Sequence, residues 1–325
     1  MSELTYREAV ARALAEELEQ DERVILFGED VAEAGGVFQA TAGLYERFGP
    51  RRVRDTPIAE QAIVGCALGA AVAGLRPVAE IMFADFAGVC YDQIANQLAK
   101  YRYMTGGQVA VPVTVRMSNG GGAGFAAQHS QSVENWFLNI PGLKICVPGT
   151  PADAYGLLRA AVRDDNPVLV LEHKLLYPQR GDVPDGQGLV ELGRAEVVRA
   201  GSDVTVVATQ LMRHRSLEAA EVLAREGVEV ELIDPRTLVP LDLEMIVASV
   251  EKTGRLACVQ ECPPVGSWGA TIVAQVVGQI WESLDAGPTL VSGDETPIPY
   301  AGSLEAAWMP SVERIVHDLR RLAKE

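Results

Sequence analysis

Histidine is scarce in this chain of 325 residues, which has only four, and its five cysteines (Cys66, Cys90, Cys146, Cys258, Cys262) are scattered without a C-x-x-C pair. That argues against a zinc site or a disulfide framework and predicts reduced, mostly buried thiols. Basic residues are also few: 28 Lys and Arg stand against 44 Asp and Glu, a net charge of −16. Nucleic acid and anionic membrane surfaces are therefore disfavoured as partners, and a soluble subunit of a large assembly fits better. The apolar stretch over 61–75 falls short of the roughly 20 residues that a bilayer requires. The N-terminal MSELTYREAV lacks an apolar signal segment, so a cytosolic protein is expected. The glycine-rich run over 119–124 lacks G-x-G-x-x-G spacing into a helix, and no acidic residue follows about 20 positions on, which excludes a dinucleotide fingerprint. No short-period repeat or low-complexity tract appears.

What is present is a chain that is 48% hydrophobic, enough for two globular domains with cores of their own. The pattern predicts helices over 4–20, 91–103, 151–163, 216–226, 243–252, 271–284 and 312–322. Strands are expected over 23–27, 77–83, 111–117, 143–147, 167–172, 204–208, 228–233, 256–260 and 289–291. Strands alternating with helices imply an α/β fold whose mostly parallel sheets are covered on both faces. Between His173 and Leu192 the alternation fails, and Pro178, Gly181, Pro184, Gly186 and Gly188 mark a connector. The expected organisation is a first domain over 1–180, a connector over 181–200 and a smaller α/β domain over 201–325.

The stretch from Asp55 to Leu75 carries the first chemical signal. Thr56 followed by Pro57 reads as a helix N-cap and first-turn proline. A capping box would place its acid at position 59, which is Ala59, so Glu60 comes one residue too late for that role. Glu60 is the only charge from there to Leu75, in a helix whose apolar residues cover all faces. Gly65, Gly69 and Gly74 would admit close approach of other backbones. A carboxyl group entering such a helix is costly unless paired, or protonated and hydrogen-bonded. The alternative is a solvated first-turn Glu favoured by the helix dipole.

Further clusters lie where predicted strands end, the edge of a parallel sheet at which ligands bind. Gly28-Glu29-Asp30 follows the first strand; it also reads as an acidic turn. Phe83-Ala84-Asp85-Phe86 follows the second, with Phe86 either a stacking surface or core. After the glycine loop comes Ala127-Gln128-His129-Ser130, which sets His129 among small polar residues in a position suited to a cleft.

Together these segments resemble the beta subunit of the thiamin-diphosphate-dependent decarboxylating component of 2-oxo acid dehydrogenase complexes, of the pyruvate or acetoin type. The likeness is carried by GEDV (28–31), GGVF (35–38), DTPIAEQ (55–61), GLRPVAEIMFADF (74–86), KYRYMTGG (100–107), AAQHSQS (126–132), PGLKICVP (141–148), VRDDNPVLVLEHKLLY (162–177), DPRTLVPLD (234–242) and TPIPYAGSLE (296–305). It runs nearly end to end. The resemblance implies that 1–180 is a thiamin pyrimidine-binding domain and that 201–325 is a transketolase-C-terminal-like domain. Glu60 is then the acid that donates to the pyrimidine N1′ and favours the imino tautomer. That tautomer removes the thiazolium C2 proton, giving the carbanion that attacks the 2-oxo acid. Phe86 matches the aromatic that stacks near the pyrimidine, and His129 matches an active-site histidine that orients substrate or the incoming lipoyl group. Glu29 and Ile58 match positions lining the cofactor and substrate pocket. Ala161, Val162, Asp164 and Asn166 match a loop where some relatives hold potassium; an ordinary helix-end turn reads equally well.

Diphosphate-binding subunits of this family carry Gly-Asp-Gly followed about 30 residues on by Asn, for Mg²⁺ and phosphate oxygens. Gly-Asp occurs here only at Gly181-Asp182 and Gly293-Asp294, and neither opens that motif. The resemblance therefore implies an alpha subunit holding Mg²⁺ and the diphosphate, in an α2β2 heterotetramer that serves a lipoyl-bearing dihydrolipoyl acyltransferase core. Glu295 matches an acidic core-docking position. Gln128 before His129, with FADFAG (83–88), EHKLLY (172–177) and GDVP (181–184), leans toward pyruvate- and acetoin-type subunits rather than branched-chain ones. The alternatives are a branched-chain subunit, the C-terminal half of a transketolase, and a non-catalytic scaffold. A scaffold has no use for a costly acid at position 60.

Overall fold

The computed structural model describes residues 1–186 and 188–325. It divides into two compact units, Met1–Asn119 with Trp136–Leu192, and Gly120–Asn135 with Gly193–Glu325. By contacts, the segment Gly120–Asn135, which carries His129, groups with the second unit.

The first unit opens with β1 (Ser2–Thr5) and α1 (Tyr6–Gln20). A reciprocal cap starts α1: Thr5 Oγ1 accepts from Glu8 N, and Glu8 accepts from Thr5 N at 2.7 Å. Then follow β2 (Val24–Gly28), α2 (Leu44–Phe48), β3 (Val53–Asp55), α3 (Glu60–Val72) and β4 (Arg76–Ile81). A helical stretch, π-helical over Gln93–Leu98, leads into α4 (Ala99–Met104), β5 (Thr114–Asn119) and β6 (Lys144–Cys146). The last elements are α5 (Pro151–Arg163), β7 (Val168–His173) and β8 (Arg180–Val183). The sheet runs β6-β7-β5-β4-β2-β3 with every one of these pairs parallel. Its central strands β5 and β7 are buried along their whole length, as strands covered on both faces must be, and the polar residues they carry are buried with them. β8 pairs antiparallel with β1, so the expected connector begins as a strand anchored to the N-terminus.

Two buried arginines of this unit are paired with carboxylates. Arg159, 1% exposed, donates to Glu17 at 2.7 Å and joins α5 to α1. Arg163 reaches the same carboxylate at 2.8 Å from a more exposed position. At the sheet centre the buried Arg116 bridges Glu172 (2.7 and 2.8 Å) and Glu80 (2.5 Å), and Tyr177 donates to Glu172 at 2.9 Å.

The second unit contains β9 (Glu196–Arg199), β10 (Val204–Ala208), α6 (Gln210–Ala224), β11 (Val230–Asp234), β12 (Thr237–Val239), α7 (Leu243–Thr253) and β13 (Leu256–Val259). It closes with α8 (Trp268–Ile280), β14 (Thr289–Val291), α9 (Gly302–Trp308) and α10 (Val312–Leu322). Its sheet runs β14-β13-β10-β11-β9, parallel except for β9. Its core joins β10, β11 and β13 to α6 and α10 through Val206, Leu232, Met212, Leu223, Ile315 and Leu319. The expected two-domain α/β architecture is therefore present.

Of the thiols, Cys90, Cys146, Cys258 and Cys262 are buried and only Cys66 is exposed. Burial pushes those of Cys146 and Cys258 up to about 12, which leaves them inert at neutral pH. No helix among the described residues is long and apolar enough to cross a membrane.

Because Arg159 is buried, Glu17→Ala should remove its closer carboxylate, leave Glu16 at 3.0 Å as the remaining acidic partner, and cost about 1–3 kcal/mol. Arg163→Ala, which removes the more exposed partner, should cost under about 1 kcal/mol. Thermal denaturation of both variants checks this; equal losses would contradict the assignment of the buried pair as the α1–α5 tie.

Candidate active site

Three parallel neighbours, β4, β2 and β3, end side by side in the first unit, and each delivers one candidate residue. Glu29 follows β2 directly. Phe86 lies in the short 3-10 helix Ala84–Gly88 beyond β4, and its ring meets Phe83 edge-on at 6.0 Å. Glu60 follows β3 and opens α3.

The start of α3 differs from the sequence reading. Thr56 N donates to Gly28 O at 2.9 Å, prolonging the pairing of β3 with β2, so the chain is still extended where a cap was expected. The helix begins at Glu60, with Ala59 as a cap that contributes no side-chain hydrogen bond. Glu60 thus occupies the first turn, where the dipole favours its charge, yet it is 6% exposed and not solvated. Nor is α3 buried all round: Ala62, Cys66, Gly69 and Val72 lie exposed along one face, which no element among the described residues covers. No backbone uses the glycines as expected. A Cβ at Gly65 would meet only the Gln93 side chain, and Gly69 and Gly74 have nothing within 4 Å.

Glu29 is likewise 6% exposed, and its Oε1 is buried with no hydrogen-bond partner. The Thr56 hydroxyl at the end of β3 is orphaned in the same way. Desolvation raises the Glu29 pKa, and the neighbouring Glu60 and Asp30 carboxylates raise it further. The Cys90 thiol, one turn beyond Phe86, is pushed up to about 12, first by burial and then by the charge of Glu60. The two glutamates, Cys90 and Phe86 therefore form one cluster. Orphaned polar atoms in a buried setting suit a polar ring with donors and acceptors at its edge, as an aminopyrimidine has. Ile58 is 82% exposed and lines no wall within this chain. A cavity of about 520 Å³ is lined by Arg51, Arg52, Arg54, Thr56 and Cys66 among others, and by none of Glu29, Glu60, Phe86 and Cys90.

His129 belongs to the second unit and is half-buried beyond the glycine loop. In that loop Gly121 N donates to Glu261, Gly122 N and Gly124 N donate to Glu305, and Gly120 N donates to Gln131 O. These amides are taken by the protein's own acceptors, which is why the loop is no phosphate cradle despite its glycines. Composition did not reveal Glu261 or Glu305. Their one signal is position, Glu305 in the GSLE string and Glu261 just past the end of β13.

At the loop after α5, each oxygen of the expected potassium set already accepts a hydrogen bond. Arg76 donates to Val162 O (3.1 Å) and Asp164 O (3.2 Å), and Asp164 N donates to Ala161 O. Lys144 and Asn166 hold the Asp164 carboxylate, and Arg102 donates to Asn166 Oδ1 at 2.7 Å. Protein cations thus hold this turn.

Comparison with known proteins matches residues 2–180 to the pyrimidine-binding domain of transketolase and residues 193–315 to the transketolase C-terminal domain. The chain is 45% identical to the beta subunit of acetoin:2,6-dichlorophenolindophenol oxidoreductase from Cupriavidus necator, covering 99% of this chain and 98% of that protein. It is 44% identical to the beta subunit of the pyruvate dehydrogenase E1 component of Rhizobium meliloti, covering 97% and 69%. It is also 44% identical to 2-oxoisovalerate dehydrogenase subunit beta of Bacillus subtilis, covering 100% of both. A solved structure described as a split gene transketolase, an inactive beta4 tetramer, shares the fold at a TM-score of 0.78 and 24% identity, over 99% of this chain and 98% of that one.

The raised pKa of Glu29 has a signed consequence. A carboxyl group whose folded pKa lies above its unfolded value of 4.5 adds stability below that value and loses it as pH rises through the folded pKa. Glu29→Gln should therefore raise the melting temperature at pH 8 and leave it nearly unchanged near pH 4. A uniform shift at both values would show that the Glu29 charge is not the cause.

Proposed function

The chain belongs to the family of beta subunits of 2-oxo acid dehydrogenase decarboxylating components, built from transketolase pyrimidine-binding and C-terminal domains, and from that premise we propose that it holds the aminopyrimidine half of thiamin diphosphate at Glu60. The observation that carries the reading is the buried Glu29–Glu60 pair with its orphaned oxygen at the ends of adjacent parallel strands. Bound there, thiamin diphosphate would supply the carbon centre at which a 2-oxo acid loses carbon dioxide.

The residues of this chain would do the rest by proton placement and exclusion of water. Glu60, nearly closed to solvent, would hold a proton at the pyrimidine N1′ position, where no water competes for it. Desolvation, and then the charges of Glu60 and Asp30, disfavour ionisation of Glu29, so that carboxyl keeps its proton to higher pH than it would in water. Phe86 would offer its face to the ring. His129, on its own anchored loop, would orient the substrate or the incoming lipoyl group. We assign Mg²⁺ and the diphosphate to an alpha partner in an α2β2 assembly, and the acyl group to the lipoyl arm of an acyltransferase core in the cytoplasm.

Identities of 45, 44 and 44% to the acetoin, pyruvate and 2-oxoisovalerate subunits do not separate substrates. Gln128 and the FADFAG, EHKLLY and GDVP strings favour pyruvate or acetoin; a branched 2-oxo acid is the second reading. The test is the complex reconstituted with its alpha partner, assayed for lipoyl acylation on all three substrate types. Pyruvate or acetoin should give the highest kcat/KM, and Glu60→Gln should cost roughly 10² to 10⁴ in turnover while assembly persists. A preference for 3-methyl-2-oxobutanoate would overturn the substrate choice, and full activity in Glu60→Gln would overturn the role of Glu60.

A further inference from the structure

We infer that Glu305, seconded by Glu261, is a positioning residue that fixes the loop presenting His129. This rests on the reading of His129 as an active-site group.

Both carboxylates are buried, Glu305 at 3% and Glu261 at 7% exposure. Each oxygen of Glu305 takes one backbone amide, Oε1 from Gly122 at 2.8 Å and Oε2 from Gly124 at 3.0 Å. Glu261 Oε1 takes Gly121 N at 2.6 Å. Such short bonds from neutral donors to a charged acceptor are among the stronger ones available, and burial strengthens them. Gly120, Gly122 and Gly124 have φ of +83, +87 and +75, a region costly for other residues but freely visited by glycine. Ala126, three residues before His129, is also held at φ +61, a conformation that a non-glycine residue keeps only when its surroundings impose it.

The anchors are themselves rigid. Glu305 lies in α9, whose Trp308 donates through Nε1 to Asp294 O and Thr296 O at 2.9 and 3.0 Å. A Cβ at Gly293 would come within 2.3 Å of Glu261 O and 2.9 Å of the Trp308 ring, so the backbone at Glu261 packs directly beside α9. On the loop side, a Cβ at Gly121 would meet Ser130 O at 3.2 Å and Glu261 Oε1 at 3.3 Å, so a larger residue would have to push these neighbours back by a few tenths of an ångström. One buried carboxylate thus clamps two alternate amides of a glycine loop, a second holds the amide before them, and His129 follows.

Glu305→Gln keeps the shape of the side chain but turns an amide donor toward one of the two N–H groups. In the complex with the alpha partner, this variant should fold and bind cofactor, and hydrogen exchange at Gly122 and Gly124 should accelerate. A displacement of the order of 1 Å at a substrate-orienting group costs on the order of 10²-fold, so kcat for lipoyl acylation should fall by up to that factor. The decisive comparison is a double-mutant cycle: in a His129→Ala background, Glu305→Gln should cost almost nothing further. An undiminished penalty there would overturn the inference, because Glu305 would then act independently of His129. If Glu305→Gln fails to assemble, exchange in the wild-type complex decides. Protected amides at Gly121, Gly122 and Gly124 support the clamp, and unprotected ones refute it. If His129→Ala alone has no effect, the underlying reading of His129 fails, and the exchange result still says whether the carboxylates hold the loop.

Discussion

The first unit depends on an unfavourable interaction, the burial of Glu29 beside Glu60 at the open ends of β2 and β3. Burying a carboxyl group without a partner costs several kcal/mol unless it stays protonated. Folding alone gains nothing from that arrangement. The strand order that creates it is what any parallel sheet produces: β4, β2 and β3 finish at the same edge, and the loops beyond them bring Phe86, Glu29 and Glu60 together. A buried carboxylate oxygen with no hydrogen-bond partner among the described residues is best explained by a partner from outside the chain.

The contrast within the same sheet supports this. Arg116 sits deeper than either glutamate, yet each of its three side-chain nitrogens donates to Glu80 or Glu172, and Tyr177 donates to Glu172 as well. Arg159 is as deeply placed and is tied to Glu17. In the second unit, Glu305 and Glu261 are buried and spend their oxygens on loop amides. The fold can satisfy buried charge where stability is the aim, so the orphaned oxygen of Glu29 stands out against that background.

Much of this was readable from the residues, for identifiable reasons. α5 agreed at both ends because Thr150 caps it and Pro151 fits its first turn, both local effects. The start of α3 did not, because the pairing of Thr56 with Gly28 is tertiary and overrides the local Thr-Pro signal. β1 and β8 escaped notice because each is four residues long, partly exposed, and paired to a strand about 180 positions away. Among the site residues, Glu60 was legible as a charge in the wrong place. The coupling of Glu29 to it was not, since nothing in a Gly-Glu-Asp string distinguishes an acidic turn from a buried acid. Glu305 and Glu261 were also hidden, because their function is to hold a loop that sequence places far from both.

The account turns on whether Glu60 relays a proton through the pyrimidine. The measurement that reads this step is hydrogen–deuterium exchange at C2 of thiamin diphosphate bound to the assembled complex, in wild type and in Glu60→Gln. Slower exchange in the variant by roughly 10² to 10⁴, with cofactor still bound, is the predicted result. Equal exchange rates would make Glu60 an ordinary helix-start charge and contradict the central claim.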